Sequence, residues 1–173
     1  MKDSFPGLKF LCIICLVLIE YLSIGCTKNE DASSQEPIVA NEINKERILE
    51  LINRERTKGC RCGTTLMPPV SPLTWNRKLE IAAFKHSQDM FNNGYFDHIN
   101  KQGLDVGDRI SNEGYKWFIC GENIAKGANS GEYVITMWIL SEGHCKNIMD
   151  KCFKEVGVGR VGDTWTQVFG TVK

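Results

Sequence analysis

The order of the periodic segments is the feature that most limits the fold, because helical patterns come first along this chain and a strand pattern comes last. The first helical pattern follows Asn41, a good N-cap, and ends at Gly59, a good C-cap. The second begins after Asn76 and ends at Gly94, with its apolar residues on one stripe. These boundaries predict two amphipathic helices joined by a proline-containing loop.

Two further helices and a hairpin complete the pattern. Ser130 begins a helical stretch that Gly143 interrupts, and residues 105–113 predict a shorter helix. From Glu155 the apolar residues alternate, and the alternation resumes after a Gly162-Asp163 turn, which predicts a β-hairpin. Helices followed by a hairpin predict an α+β domain built in layers.

The first 25 residues resemble a lipoprotein signal peptide. Lysines precede an apolar run at 10–19, which is far shorter than the roughly 20 residues of a membrane-spanning helix. Gly25-Cys26 then resembles a lipidation box, although Ser23 stands where that box usually has leucine. We predict lipidation of Cys26, and cleavage by an ordinary signal peptidase, which would give a secreted protein, is the alternative.

Residues 26–41 are polar and contain Pro37, so they bury too little apolar surface to offset the entropy lost on ordering. We therefore predict a flexible tether at 26–41 and one globular domain at 42–173. The predicted location is the cell envelope, anchored through Cys26 to a bacterial membrane and facing the periplasm or the exterior. Lys and Arg number 21, as do Asp and Glu, so the bulk charge excludes nucleic acid as an expected partner. We expect a monomer.

Five cysteines remain in the predicted domain, and this density is typical of an exported protein that forms disulfides. Our first pairing is Cys62 with Cys145, and our second is Cys60 with Cys152. A disulfide from this loop to a late segment would close a long loop of the unfolded chain and contribute about 2–4 kcal/mol. A zinc–thiolate site is the weaker interpretation, because Cys-x-Cys is tighter than the usual zinc spacing.

Six motifs between Asn44 and Gly170, taken in their order, resemble the CAP superfamily of cysteine-rich secretory, antigen 5 and pathogenesis-related 1 proteins, in particular its bacterial SCP-like extracellular branch. They are Pro72-Leu73-Thr74-Trp75-Asn76, His86-Ser87-Gln88-Asp89-Met90, Phe96-Asp97-His98 with Gly107-Asp108-Arg109-Ile110, Gly121-Glu122-Asn123-Ile124-Ala125, Gly143-His144 with Asn147-Ile148, and Gly157-Val158-Gly159 with Trp165-Thr166-Gln167-Val168-Phe169. The resemblance implies a three-layer α-β-α sandwich that ends in a β-hairpin.

The family's cleft is lined by two histidines and two acidic residues, which hold a divalent cation in some members. His98 and Glu122 match two of these positions, and His144 matches a histidine of bacterial relatives. Thr164 stands where eukaryotic members have their second histidine. Glu142 lies one residue beyond the eukaryotic acidic position, so it is a further candidate ligand.

Two imidazoles and a carboxylate could hold Zn²⁺ with an open position for a hydrolytic water. The plainer interpretation, which we put first, is a hydrogen-bond network of His98, Glu122 and His144 that holds three segments together. Metal binding comes second, and catalysis by His98 and Glu122 third, so no catalytic residue is assigned and no cofactor is required. His86 lies on the apolar stripe of its helix and is predicted to be a core residue.

Three interpretations of the function are open, and they belong to different classes. The first is a non-catalytic extracellular binding module for a lipid or small apolar ligand. The alternative is a metal-dependent envelope hydrolase that uses His98, Glu122 and His144. A disulfide-stapled surface protein without a small ligand is the third interpretation. Fold alone does not choose among them, because activity depends on the site.

Overall fold

The computed structural model describes residues 41–173, so the predicted signal peptide, Cys26 and all of the predicted tether except Asn41 lie outside the described residues. The helices are α1 (Lys45–Lys58), α2 (Arg77–Asn92), α3 (Val106–Asn112), α4 (Gly131–Leu140) and α5 (Glu142–Ile148). The strands are β1 (Cys60–Cys62), β2 (Thr65–Met67), β3 (Thr74–Trp75), β4 (Trp117–Lys126), β5 (Glu155–Val161) and β6 (Thr164–Val172). No helix in this part of the chain has the length and apolar character needed to cross a bilayer.

The main sheet has the strand order β3-β5-β6-β4, and the separate β1-β2 hairpin follows α1. β5 and β6 form the predicted C-terminal hairpin, while β4 pairs antiparallel with the outer side of β6 and is therefore an edge strand. Helices and sheet together confirm the predicted α+β fold.

Helices pack on both faces of this sheet. Side chains alternate along β6, so Trp165 and Phe169 lie on one face and Val168 lies on the other. The first two join an apolar core with residues of α1, α4 and α5, and Val168 joins a second core with residues of α2 and α3. Two helical layers thus enclose the sheet, as in the predicted sandwich.

Two glycines of β5 let α2 approach the sheet closely. A Cβ atom at Gly157 would overlap the backbone of Glu80, and one at Gly159 would overlap the backbone of Phe84. The strand can therefore accept α2 only where side chains are absent.

The N-terminal boundary differs from the prediction. Asn44, not Asn41, caps α1, because its side chain accepts a hydrogen bond from the Arg47 N–H at 2.9 Å. Asn41 instead binds β5: its Nδ2 donates to the Val158 carbonyl at 2.8 Å and its Oδ1 accepts from the Arg160 N–H at 3.1 Å. Asn41 is thus attached to the folded domain although the tether was predicted to include it.

The predicted break at Gly143 is two residues too late. α4 ends at Leu140, Ser141 has an extended backbone with φ −93° and ψ 119°, and α5 already begins at Glu142. Gly143 therefore lies inside α5. β4 and the β1-β2 hairpin were not predicted from the sequence pattern, and β4 contains the Gly121-Glu122-Asn123 motif at its centre.

Candidate functional site

Glu122 is the centre of the candidate site, and both oxygens of its carboxylate are bound. Its Oε1 accepts a hydrogen bond from His98 Nδ1 at 2.8 Å, and its Oε2 accepts one from Arg109 Nη2 at 2.5 Å. Only 2% of the Glu122 side chain is exposed. The hydrogen bonds from the His98 imidazole and the Arg109 guanidinium thus offset the free energy that the carboxylate loses when it leaves water.

Arg109 connects the segment before α3 to this carboxylate. Asp105 is the N-cap of α3 and forms a capping box, in which Asp105 and Asp108 each accept a hydrogen bond from the other's backbone N–H. Arg109 Nη1 donates to the carbonyl oxygens of His98 and Leu104, both at 2.8 Å. The guanidinium therefore fixes the His98 loop as well as Glu122. Sequence reasoning had noted Arg109 in a family motif but had not assigned it to the site.

His98 is the accessible member of the cluster, with 55% of its side chain exposed. The hydrogen bond to Glu122 is the main reason that the pKa of His98 lies above its ordinary value, and burial opposes this increase. Phe96 and Ile99, on either side of it in sequence, are each 46% exposed. An imidazole that carries positive charge more readily than usual thus has Ile99 directly after it and Phe96 two residues before it, with Asp97 between Phe96 and His98.

His86 is buried, as predicted for a core residue, yet it lies next to the site. Its Nε2 donates to the Asp97 carbonyl at 3.0 Å and is 4.0 Å from Glu122 Oε1. Burial lowers the pKa of His86, so the neutral imidazole is favoured. Its Nδ1 has no hydrogen-bond partner among residues 41–173. A cavity of about 330 Å³ between α2 and α3 is lined by His86 and Arg109, among others.

The backbone of His144 is bound by Asn123, the residue next to Glu122 on β4. β4 pairs Glu122 with Val168 and Asn123 with Gln167, so Glu122 faces α2 and α3 while Asn123 faces α5. Asn123 Nδ2 donates to the His144 carbonyl at 3.1 Å. Burial lowers the pKa of His144, and the positive charge of His98 lowers it further.

An amide network that the sequence analysis missed joins α5 to the strands. Asn147 Nδ2 donates to the Glu122 carbonyl at 3.2 Å and to Asn123 Oδ1 at 2.8 Å. Asn123 Nδ2 also donates to Gln167 Oε1 at 2.9 Å. Asn147 and Gln167 both lie in the family motifs, which was the available signal for this network.

Glu142, the further candidate ligand, forms an ion pair with Lys146 at 2.6 Å.

The group of possible metal ligands that lies closest together differs from the predicted set of His98, Glu122 and His144. Within residues 41–173, only Cys60, Cys62 and Cys145 place three such atoms all within 4.8 Å of one another. The structure brings His98 to Glu122 directly, and the metal set that adds His144 stays a prediction.

Cys62 and Cys145, the first predicted pair, form a disulfide that joins β1 to α5, with their Cα atoms 5.4 Å apart. The second predicted pair is not formed: Cys60 and Cys152 are both free thiols. The reason is that residues two apart on a strand point to the same side. Cys60 therefore lies beside the disulfide, 3.7 Å from Cys145 Sγ. Burial, with a smaller effect of Glu55, raises the pKa of Cys60.

The layered sandwich with its C-terminal hairpin is the fold expected of an SCP-type domain, and comparison with known proteins agrees. Residues 41–172 match the family model described as "CAP: Cysteine-rich secretory protein family". The chain belongs to this CAP family. The uncharacterized protein YkwD of Bacillus subtilis is 33% identical over 155 residues, which cover 82% of this chain and 57% of YkwD. The uncharacterized membrane protein YlbC of the same organism is 31% identical over 126 residues, covering 73% of this chain and 34% of YlbC.

Solved structures show the same fold. An extracellular protein containing an SCP domain from Bacillus anthracis superposes with a TM-score of 0.64 at 31% identity, covering 74% of this chain and 40% of that one. An outer surface protein of Borrelia burgdorferi has a TM-score of 0.64 at 19% identity, covering 75% and 92%. The chain spans 57% of the length of YkwD and 34% of the length of YlbC, so it matches only part of each curated relative.

Proposed function

We propose that this protein is an exported, lipid-anchored binding module that takes an amphipathic ligand with an acidic headgroup beside His98, without catalysing a reaction. The signal-peptide pattern and Cys26 support export and anchoring. The extracellular SCP-domain neighbour supports a location outside the cytoplasm.

The observation that carries this proposal is the burial of the Glu122 carboxylate, whose two oxygens are both hydrogen-bonded. Each carboxylate oxygen keeps a further lone pair beside its hydrogen bond. A metal ligand or general base must present that lone pair to a metal or substrate, and only 2% of the Glu122 side chain is exposed. Arg109 binds Oε2 at 2.5 Å and His98 binds Oε1 at 2.8 Å. Freeing Oε2 would break a buried ion pair, at a cost of roughly 3–5 kcal/mol when one charge is left unpaired. The geometry therefore favours a fixed binding surface over hydrolysis.

His98 provides the polar contact of the proposed surface. Its Nδ1 is held by Glu122, which leaves Nε2 as the ring atom for a ligand oxygen. Exposed Phe96 and Ile99 would contact an apolar chain. Asp97, which lies between Phe96 and His98, binds the Ile99 N–H through its Oδ1 at 2.9 Å. A few placed polar groups among apolar side chains are the usual composition of a small-molecule site.

The test uses the full chain carrying Cys26→Ala, so that a lipid anchor does not compete, and a fluorescent long-chain fatty acid as the probe. We expect saturable binding that His98→Ala and Phe96→Ala each weaken at least tenfold. Phe118→Ala is the matched control, because Phe118 is a 73% exposed phenylalanine four residues from Glu122 along β4, which corresponds to roughly 13 Å. Equal binding by the two phenylalanine variants, or no saturable uptake, would contradict the proposal.

A metal-dependent hydrolase is the second candidate, and one observation favours it: the charge of His98 lowers the pKa of His144, so the two imidazoles interact electrostatically. This candidate requires stoichiometric zinc in the purified protein and loss of activity in Glu122→Gln. Metal-free protein, with every measured activity intact in that variant, rules it out.

Anchoring has its own test. The wild-type protein should carry the mass of a lipid and enter the detergent phase on phase separation. Cys26→Ala should lose both properties, and unchanged partition would refute lipidation.

A further inference from the structure

Three cysteine sulfurs converge where the β1-β2 hairpin meets α5. Cys60 and Cys62 point to the same side of β1, and α5 brings Cys145 against them. Cys60 Sγ lies 4.0 Å from Cys62 Sγ and 3.7 Å from Cys145 Sγ. The third thiol thus lies beside both sulfurs of the disulfide, and the disulfide itself does not require it.

These separations match those between thiolates that share one metal ion. Zinc–sulfur bonds of about 2.3 Å in tetrahedral geometry place ligand sulfurs about 3.8 Å apart. Both separations from Cys60 already lie within a few tenths of an ångström of that distance. Only the bonded pair, Cys62 and Cys145, would have to separate once its disulfide is reduced.

The surroundings of the cluster leave one side open. Cys62 and Cys145 are fully buried, and Cys60 is half-buried. A cation would therefore approach from the Cys60 side, where a water molecule could complete a four-coordinate site. The close Cys-x-Cys spacing, which argues against a zinc knuckle, is compatible with this geometry because the strand directs both side chains to one side.

We propose that the reduced protein binds one zinc-type, thiophilic divalent cation through Cys60, Cys62 and Cys145. A dithiol reductant transfers two electrons and its two thiol protons to the Cys62–Cys145 bond, which breaks to give two thiols while the reductant becomes a disulfide. The cation then replaces one proton on each of the three thiols. The disulfide and the metal complex are mutually exclusive forms of the same site, and neither involves His98 or Glu122.

The experiment titrates Cd²⁺, and then Zn²⁺ in competition, into the full chain after reduction with a phosphine and anaerobic desalting. Thiolate-to-cadmium charge transfer in the ultraviolet reports the bond type. We expect one Cd²⁺ per reduced wild-type chain and none at this site in the oxidised protein. Cys60→Ser should weaken binding roughly 100-fold, which is about 2.8 kcal/mol. Cys152→Ser is the matched control and should bind like the wild type, because Cys152 is an exposed thiol outside the cluster.

Folding is followed separately, since reduction itself destabilises the domain. Cys60→Ser retains both disulfide cysteines, so its oxidised form should show wild-type near-ultraviolet circular dichroism. Zn²⁺ should raise the Tm of reduced wild type and reduced Cys152→Ser, but not of reduced Cys60→Ser or of oxidised wild type. The proposal is overturned if Cys60→Ser binds Cd²⁺ as tightly as the wild type. It is equally overturned if reduced wild-type protein, folded or unfolded, gains neither charge-transfer absorption nor stability from the metal.

Discussion

The two faces of the main sheet are joined to their helices in different ways. On the face of α1, α4 and α5, large side chains such as Trp138 and Phe169 fill the interface. On the face of α2 and α3, glycines admit a helix backbone, and the buried Glu122–Arg109 pair lies next to it. A face filled by apolar side chains loses stability in steps as they are shortened. A face built on close backbone approach and paired charge depends on a few positions that tolerate little change.

The largest effect should come from Gly159→Val, which tests the backbone approach of α2. A Cβ atom at Gly159 would overlap the backbone of Phe84, so α2 must move away from β5 and β6. We expect a loss of more than about 4 kcal/mol in the free energy of unfolding, beyond the usual cost of overpacking. Urea unfolding followed by circular dichroism measures this loss.

Gly143→Ala is the control for this substitution. Gly143 lies inside α5, has an ordinary negative φ, and would have nothing within 4 Å of an added Cβ atom. Alanine there should stabilise the protein by roughly 0.5–1 kcal/mol, as in other helices. If Gly159→Val cost no more than about 1 kcal/mol, the contrast between the two faces would be wrong.

The next largest effect should come from Arg109→Met, which tests the charged part of the same face. Methionine keeps much of the volume but leaves the buried Glu122 carboxylate with His98 as its one remaining side-chain donor. Removing one partner of a buried ion pair costs about 3–5 kcal/mol, so we expect a loss of about 4 kcal/mol. Thermal and urea unfolding should agree on it.

A double-mutant cycle identifies the cause of that loss. Adding Glu122→Gln to Arg109→Met removes the stranded charge and should recover at least about half of the lost stability. A double variant no more stable than Arg109→Met alone would mean that the guanidinium acts through its bonds to the carbonyl groups of His98 and Leu104 instead.

Local pattern was sufficient for the elements whose partners are close in sequence. The β5-β6 hairpin follows from alternation around a short turn, and the caps at Asn76 and Ser130 follow from residue type. β4 was missed because its centre, Gly121-Glu122-Asn123, is polar and does not alternate. Its place in the sheet is instead set by pairing with β6.

The candidate site was only partly predictable for a related reason. His98 and Glu122 were identified through family motifs, and they are in contact. Arg109, by contrast, is a cation on a short helix, a pattern typical of an exposed residue. Its carbonyl and carboxylate partners become visible only once the His98 loop folds back over α3. His144 was grouped with Glu122 through the same motifs. Its backbone carbonyl accepts a hydrogen bond from Asn123, the neighbour of Glu122 on β4, and its part in the cluster stays a prediction.

The disulfide offers a test on the opposite face, with a smaller expected effect. The Cys62–Cys145 bond closes a loop with a sequence separation of 83 residues. We expect the Cys62→Ser, Cys145→Ser double variant to lose about 3 kcal/mol, within the usual range for a native disulfide. Cys152→Ser, at an exposed free thiol, should change stability by less than about 0.5 kcal/mol. Equal unfolding midpoints for all three proteins would show that the apolar core alone holds this face.

The smallest effect should be the pH dependence contributed by His98. Its pKa is raised in the folded protein, chiefly by the hydrogen bond to Glu122, so the folded state binds the proton more tightly than the unfolded state. The resulting stability is fully present below the unfolded pKa of about 6.5 and is lost as pH rises through the higher folded pKa. Because 55% of the side chain is exposed, solvent screening should keep the contribution below about 1 kcal/mol.

His98→Gln isolates this contribution, since glutamine can still donate to Glu122 but does not titrate. The pKa values of His86 and His144 are lowered, so both residues oppose folding at acid pH in wild type and variant alike. Comparing the two proteins therefore removes most of that shared trend. The wild type should exceed His98→Gln in stability by more at pH 5.5 than at pH 8.5. A difference that stayed constant, or grew with pH, would mean that the contact between His98 and Glu122 carries no net charge attraction.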